Sequence, residues 1–192
     1  MRIKILLAIL FLLPNSIWNQ QIDLNKSEET ENKMKWFEEA KFGIFIHWGI
    51  YSVNGISESW SFYNGYISHS DYMKQLNGFN AKNYNPKEWS KLIAESGAKY
   101  TVITAKHHDG FALWNSKYGS LNSFESSKSK KDLLTPFINE IRDKGLKVGL
   151  YYSLPDWSYK DYTNHTNKIK RYSIKENPKR WQKFLNYRDN QL

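Results

Sequence analysis

The sequence predicts an α/β fold in which about three strand–helix units build one parallel sheet. Three observations predict it. Short apolar runs at Phe42 to Ile46, Lys99 to Thr104 and Leu146 to Tyr151 alternate with amphipathic stretches. Each run is continuous rather than alternating, the pattern of strands in a covered parallel sheet. Gly97 and Gly145 stand just behind two of the amphipathic stretches, where helices end.

The elements follow in order. Arg2 and Lys4 precede a nine-residue apolar stretch, Ile5 to Leu13, that Pro14 breaks. It is too short to span a bilayer and reads as a signal peptide over residues 1–20, with cleavage between Ser16 and Gln20. Residues 21–33 form a polar arm. Met34 to Ala40 predicts a short helix leading into the first strand. Tyr51 to Tyr84 is a long insertion rich in Ser, Asn, Gly and aromatics, and loops of that length inside a domain usually carry function. Asn85 then caps a helix that has Pro86 at its first position and Glu88 in its first turn, with Trp89, Leu92 and Ile93 as its apolar stripe. The second strand follows. Lys131 to Lys144 predicts another helix, its face built of Leu134, Phe137, Ile138 and Ile141. After the third strand, Asn177-Pro178 starts a last helix with Trp181, Phe184 and Leu185 on one side.

Strands alternating with helices imply parallel pairing through right-handed crossovers. Three such units cannot close a barrel, which takes eight, and an open sheet of three strands leaves two bare edges. The expectation is therefore an N-terminal part of a longer protein, residues 34–192 being an incomplete catalytic domain that is marginally folded alone.

Composition narrows the function. No Cys is present, which excludes a disulfide scaffold and a lipoprotein acylated on cysteine. With the leader, and no later segment of membrane-spanning length, this points to a soluble secreted or periplasmic protein. The net charge is +9, and losing Arg2 and Lys4 leaves +7. Nine Lys/Arg against three Asp/Glu crowd the last 33 residues. No nucleic-acid module accompanies them, so a solvated basic surface is expected and no nucleic-acid partner. The sequons Asn25-Lys26-Ser27 and Asn164-His165-Thr166 matter only in a eukaryotic secretory host.

The chemistry gathers where strands end. Tyr100 to Thr104 runs into Ala105-Lys106-His107-His108-Asp109-Gly110-Phe111, the first strand into His47-Trp48-Gly49, and the third into Tyr151-Tyr152-Ser153. Ligand sites of α/β folds lie at such ends. A neutral imidazole offers one donor and one acceptor, which suits a sugar hydroxyl. As a metal site the cluster is poor: neighbouring strand residues point to opposite faces, and no His-x-His or His-Glu-x-x-His spacing occurs. No metal and no cofactor are expected. Asp109, followed by Gly110, reads as a turn anchor. Trp60 is the tryptophan expected to face a ligand, with Trp48, Trp114 and Trp157 as packing, and Tyr151 is the phenol expected in the cleft. Cleaving a glycoside takes two carboxylates. Glu58, Asp109 and Asp156 are the acids near these ends, and none forms a convincing pair.

These motifs, together with Glu58-x-Trp60 and Gly149-Leu150-Tyr151-Tyr152-Ser153, resemble family 29 glycoside hydrolases, the α-L-fucosidases, from about Met34 to Leu192. The resemblance implies a (β/α)₈ TIM-like barrel of which about three βα units are present, and retaining hydrolysis of terminal α-L-fucose from glycans or glycoconjugates without metal. It implies that His47, His107 and His108 bind fucose hydroxyls, that Trp60 and Tyr151 contact the sugar, and that Glu58 does so in spite of the intervening Ser59. The nucleophile aspartate and acid/base glutamate are expected beyond Leu192, so that this chain alone is inactive. Competing readings are a barrel glycosidase of other sugar specificity, an exported sugar-binding protein without catalysis and, third, a metal-dependent hydrolase.

Overall fold

Three strands, β1 (Gly43–Ile46), β2 (Tyr100–Lys106) and β3 (Lys147–Tyr152), pair in parallel in the order β1-β2-β3. A computed structural model of the chain describes residues 24–159 and 176–192. The expected signal peptide, the second sequon and most of the loop after β3 lie outside the described residues. The register sets Phe45 beside Val102 and Val102 beside Gly149, and it shifts between Thr104 and Lys106. Gly149 lets β3 approach closely, because a Cβ there would meet Val102 at 3.1 Å.

Between the strands run α4 (Pro86–Glu95) and α5 (Leu134–Asp143), which pack on each other. Asn85 caps α4, its side chain accepting from the Glu88 N–H at 3.2 Å, and Gly97 ends it at φ 85°. The second helix starts three residues later than Lys131. Asp132 accepts from the N–H groups of Leu134 and Thr135, both at 2.9 Å, and so fixes the first turn there. Leu134, Phe137 and Ile141 enter the core with Ile93, Ile103 and Leu133. The last helix, α6 (Pro178–Asp189), has its proline at the start as expected, but the Asn177 side chain makes no capping bond.

The insertion after β1 is not a structureless loop. It holds two short helices, α2 (Trp60–Tyr63) and α3 (His69–Met73), with 3₁₀ turns at Ile50–Ser52 and Lys74–Asn77. The polar arm also differs from expectation, since α1 runs from Leu24 to Ala40. Its Glu/Lys-rich sequence has neither Gly nor Pro to break it. As far as Glu39, α1 is a unit of its own, and residues 40–192 form the other.

Among the described residues the sheet is covered on one side only, where continuous apolar strands predict cover on both. Ile44, Ile46 and Ile103 pack into the core, whereas Phe45 on the opposite face is 55% exposed. That open face carries the side chains that matter next.

Candidate functional site

A single hydroxyl hooks β1 to β2 where the site begins. Thr104 Oγ1 accepts from the Trp48 N–H at 2.8 Å and donates to the Trp48 carbonyl at 2.7 Å, fixing the chain just after His47. Beyond Lys106, β2 turns sharply. Gly110 sits at φ 80°, in the left-handed region that favours glycine. Its N–H donates to the His107 carbonyl at 3.0 Å. A Cβ at Gly110 would stand 2.2 Å from Ser158 Oγ and 2.5 Å from Asp156 Oδ1, so the turn and the loop after β3 press together there. Two backbone bonds lace them, Ser153 N to Lys106 O at 2.9 Å and Trp157 N to His108 O at 2.7 Å.

These loops bring all six sequence-predicted site residues into one cluster. The rings of His47 and His107 lie 5.0 Å apart, and those of His107 and His108 lie 4.6 Å apart. Strand alternation does not separate His107 from His108, because β2 has ended at Lys106 and the turn has begun. Tyr151 stacks on His107 at 5.3 Å and an interplanar angle of 21°. Phe45 lies 5.9 Å from Tyr151, on the open face of the sheet. Trp60 stands edge-on to His108 at 5.7 Å and remains 42% exposed. Trp157 is buried beneath it, 4.5 Å from His108 and stacked on Tyr63 at 4.4 Å. The result is a wall of imidazole, phenol and indole suited to hydroxyls and apolar ligand faces.

Glu58 joins the cluster through Ser59. Glu58 Oε2 accepts from Ser59 Oγ at 2.7 Å and from the Trp60 N–H at 2.9 Å, and lies 3.2 Å from His107 Nδ1. Burial, helped by the neighbouring His108 and His47, pushes the His107 pKa down to about 3, so its ring is neutral and this contact is not an ion pair. Burial and then the Glu58 carboxylate push the Tyr151 phenol upward, which keeps it protonated. Asp109 anchors the turn, accepting from the Tyr72 hydroxyl at 2.6 Å and from the Phe111 N–H at 2.9 Å. Desolvation outweighs those two bonds and pushes its carboxyl up to about 6.

Three participants escaped sequence reasoning. Ser59 and Ser153 bond to His107 and His108 from 48 and 45 residues away. Behind the wall, Lys106 Nζ reaches Asp156 Oδ2 at 3.1 Å, both side chains being fully buried. A buried lysine demands a carboxylate partner, which was the available signal, but nothing in the sequence says which one. Among the described residues no group of three or more His, Asp or Glu side chains is placed to hold a metal ion. A cavity of about 400 Å³ lined by Trp48, Phe79, Tyr84 and Trp89 has neither imidazole nor carboxylate in its lining, so the chemistry belongs to the histidine wall.

Comparison with known proteins bears on the same residues. The family model described as alpha-L-fucosidase matches residues 13–192. An alpha-L-fucosidase of Branchiostoma floridae is 38% identical over 145 residues, covering 66% of this chain and 32% of that protein. Isoenzyme 1 from Paenibacillus thiaminolyticus, an alpha-L-fucosidase, superposes with a TM-score of 0.70 at 33% identity, over 84% of this chain and 39% of its own. A GH29 alpha-L-fucosidase from Bacteroides thetaiotaomicron, trapped as a covalent intermediate with 2-fluoro-fucosyl fluoride, gives a TM-score of 0.68 at 31% identity over 83% and 37% of the two chains. The chain spans about a third of the length of the curated relatives it matches.

Proposed function

This chain belongs to the α-L-fucosidase family, and from that premise we propose that it supplies the sugar-binding wall of an exo-acting, retaining α-L-fucosidase that releases terminal L-fucose from glycans. One observation carries the reading: three imidazoles, a phenol and a half-exposed indole converge at the ends of three parallel strands. Such a wall matches a deoxy sugar, whose hydroxyls need donors and acceptors and whose methyl group needs an apolar surface. The neutral His107 costs no desolvated charge when a ligand covers it.

In this reading the three βα units belong to a (β/α)₈ barrel with its site at the carboxyl ends of the strands. Retaining hydrolysis takes one carboxylate as nucleophile and one as acid/base. Asp109 and Asp156 are buried and bonded within the fold, and Glu58 is held by Ser59 and Trp60. The chemistry is therefore assigned to carboxylates outside this chain, and sugar recognition to it. The covalent intermediate trapped in the Bacteroides relative supports the retaining course. The apolar leader supports export, tested by finding the amino terminus of the exported protein between Ser16 and Gln20.

The test uses the full-length protein on a panel of aryl glycosides. Turnover confined to the α-L-fucoside is the expected result, while equal turnover of other sugars would sink the specificity. The 192-residue chain alone is expected to show no turnover. Quenching of Trp60 and Trp157 fluorescence by L-fucose reads binding separately.

A further inference from the structure

Ser59 and Ser153 are both buried, and each has its single proton committed elsewhere. Ser59 Oγ donates to Glu58 Oε2 at 2.7 Å, and a carboxylate oxygen can only accept. Ser153 Oγ donates to the Pro155 carbonyl at 2.7 Å, which likewise can only accept. Yet Ser59 Oγ lies 2.6 Å from His107 Nδ1, and Ser153 Oγ is hydrogen-bonded to His108 Nδ1. With their own protons spent, both serine oxygens are acceptors toward the rings. For His107 the Glu58 carboxylate oxygen, 3.2 Å from the same nitrogen, adds an electrostatic preference for a proton there. Ser59 is fully buried and Ser153 is 3% exposed, so bulk water does not compete for these bonds.

We infer that Ser59 and Ser153 are positioning residues that hold the ring proton of His107 and His108 on Nδ1, leaving Nε2 of each ring as a hydrogen-bond acceptor. A neutral imidazole carries one proton, so fixing it at one nitrogen fixes the polarity of the other. The inference rests on the sugar-binding reading for its consequence: two neighbouring sugar hydroxyls must arrive as donors. Ser59, standing between Glu58 and Trp60, thereby acquires a use. Ser59 sets the ring on which Glu58 also acts, and a ligand group that only accepts is refused at both rings.

The experiment is ¹⁵N NMR of the five histidine rings in the protein carrying this chain. The pyridine-like and pyrrole-like nitrogens of a neutral ring resonate far apart and report the tautomer directly. Expected are Nδ1-protonated patterns for His107 and His108 in the wild type. In Ser153→Ala the His108 pattern becomes a mixture of both tautomers. In Glu58→Gln combined with Ser59→Ala, the carboxamide can donate to His107 Nδ1, and the His107 pattern inverts. L-fucose binding by Ser153→Ala weakens about tenfold, the worth of one unmatched buried hydrogen bond. A proton on Nε2 in the wild type, or unchanged patterns in both variants, overturns the inference. The wild-type spectrum decides even where a variant fails to fold. Absence of any L-fucose binding by the wild type would instead overturn the sugar reading, and the ring signals would still decide the tautomers.

Discussion

Two residues in one turn titrate in opposite senses, and that makes the turn testable at the scale of a single side chain. His107 is depressed from 6.5 to about 3, so below 6.5 the unfolded chain takes up a proton that the folded chain refuses. Stability tied to it is therefore complete above 6.5 and is lost as the pH falls toward 3. Asp109 is raised from 3.8 to about 6, so in that interval the folded chain keeps a proton that the unfolded chain has released. Its contribution is complete below 3.8 and is lost as the pH rises through about 6. Urea midpoints measured from neutral pH down to about pH 4 separate the two. His107→Gln is expected to lose less stability in acid than the wild type, and parallel curves would contradict the assignment. At this scale much of the site was legible, because His47, His107, His108 and Tyr151 all follow apolar runs and strand ends concentrate function. Ser59 and Ser153 were not, since a bond across 48 residues leaves no local pattern.

Among the elements, β2 and the loop after β3 are joined by the pair behind the wall. Lys106 Nζ donates to Asp156 Oδ2 and to Gln191 Oε1 at 3.0 Å, and lies 4.4 Å above the Tyr152 ring. Desolvation pulls the Lys106 pKa down and the Asp156 carboxylate opposes it. Lys106→Met is expected to cost about 3–5 kcal/mol in chemical denaturation, because it leaves a buried carboxylate without its counter-charge. Lys106→Met with Asp156→Asn should recover part of that loss, whereas an additive double variant would show the two to be uncoupled. The helices α4 and α5 were readable from cap, stripe and glycine. Helices α2 and α3 were not, since four or five residues hold too little periodicity to detect, and their packing around Phe62, Tyr72 and Trp157 decides them. The late start of α5 turned on Asp132, whose capping competes with the apolar stripe that suggested an earlier one.

For the molecule as a whole, the decisive fact is a parallel sheet with one uncovered face and, among the described residues, no partner outside β1 or β3. Phe45 at 55% exposure marks that surface, beside Val102 and Gly149. The 192-residue chain is expected to self-associate in sedimentation velocity, and Phe45→Lys to shift it toward monomer. A wild-type monomer that melts cooperatively would contradict this. The open face was beyond sequence reading, because an apolar strand looks the same whether or not another layer covers it. Gly110 carries a different lesson. A hydrogen stands there where any other residue would bring carbon into contact with Ser158 and Asp156, so the seam between the two loops has no slack. A side chain at that position would have to displace the Ser158 hydroxyl and the Asp156 carboxylate, and with them the bonds by which Asp156 holds the loop after β3.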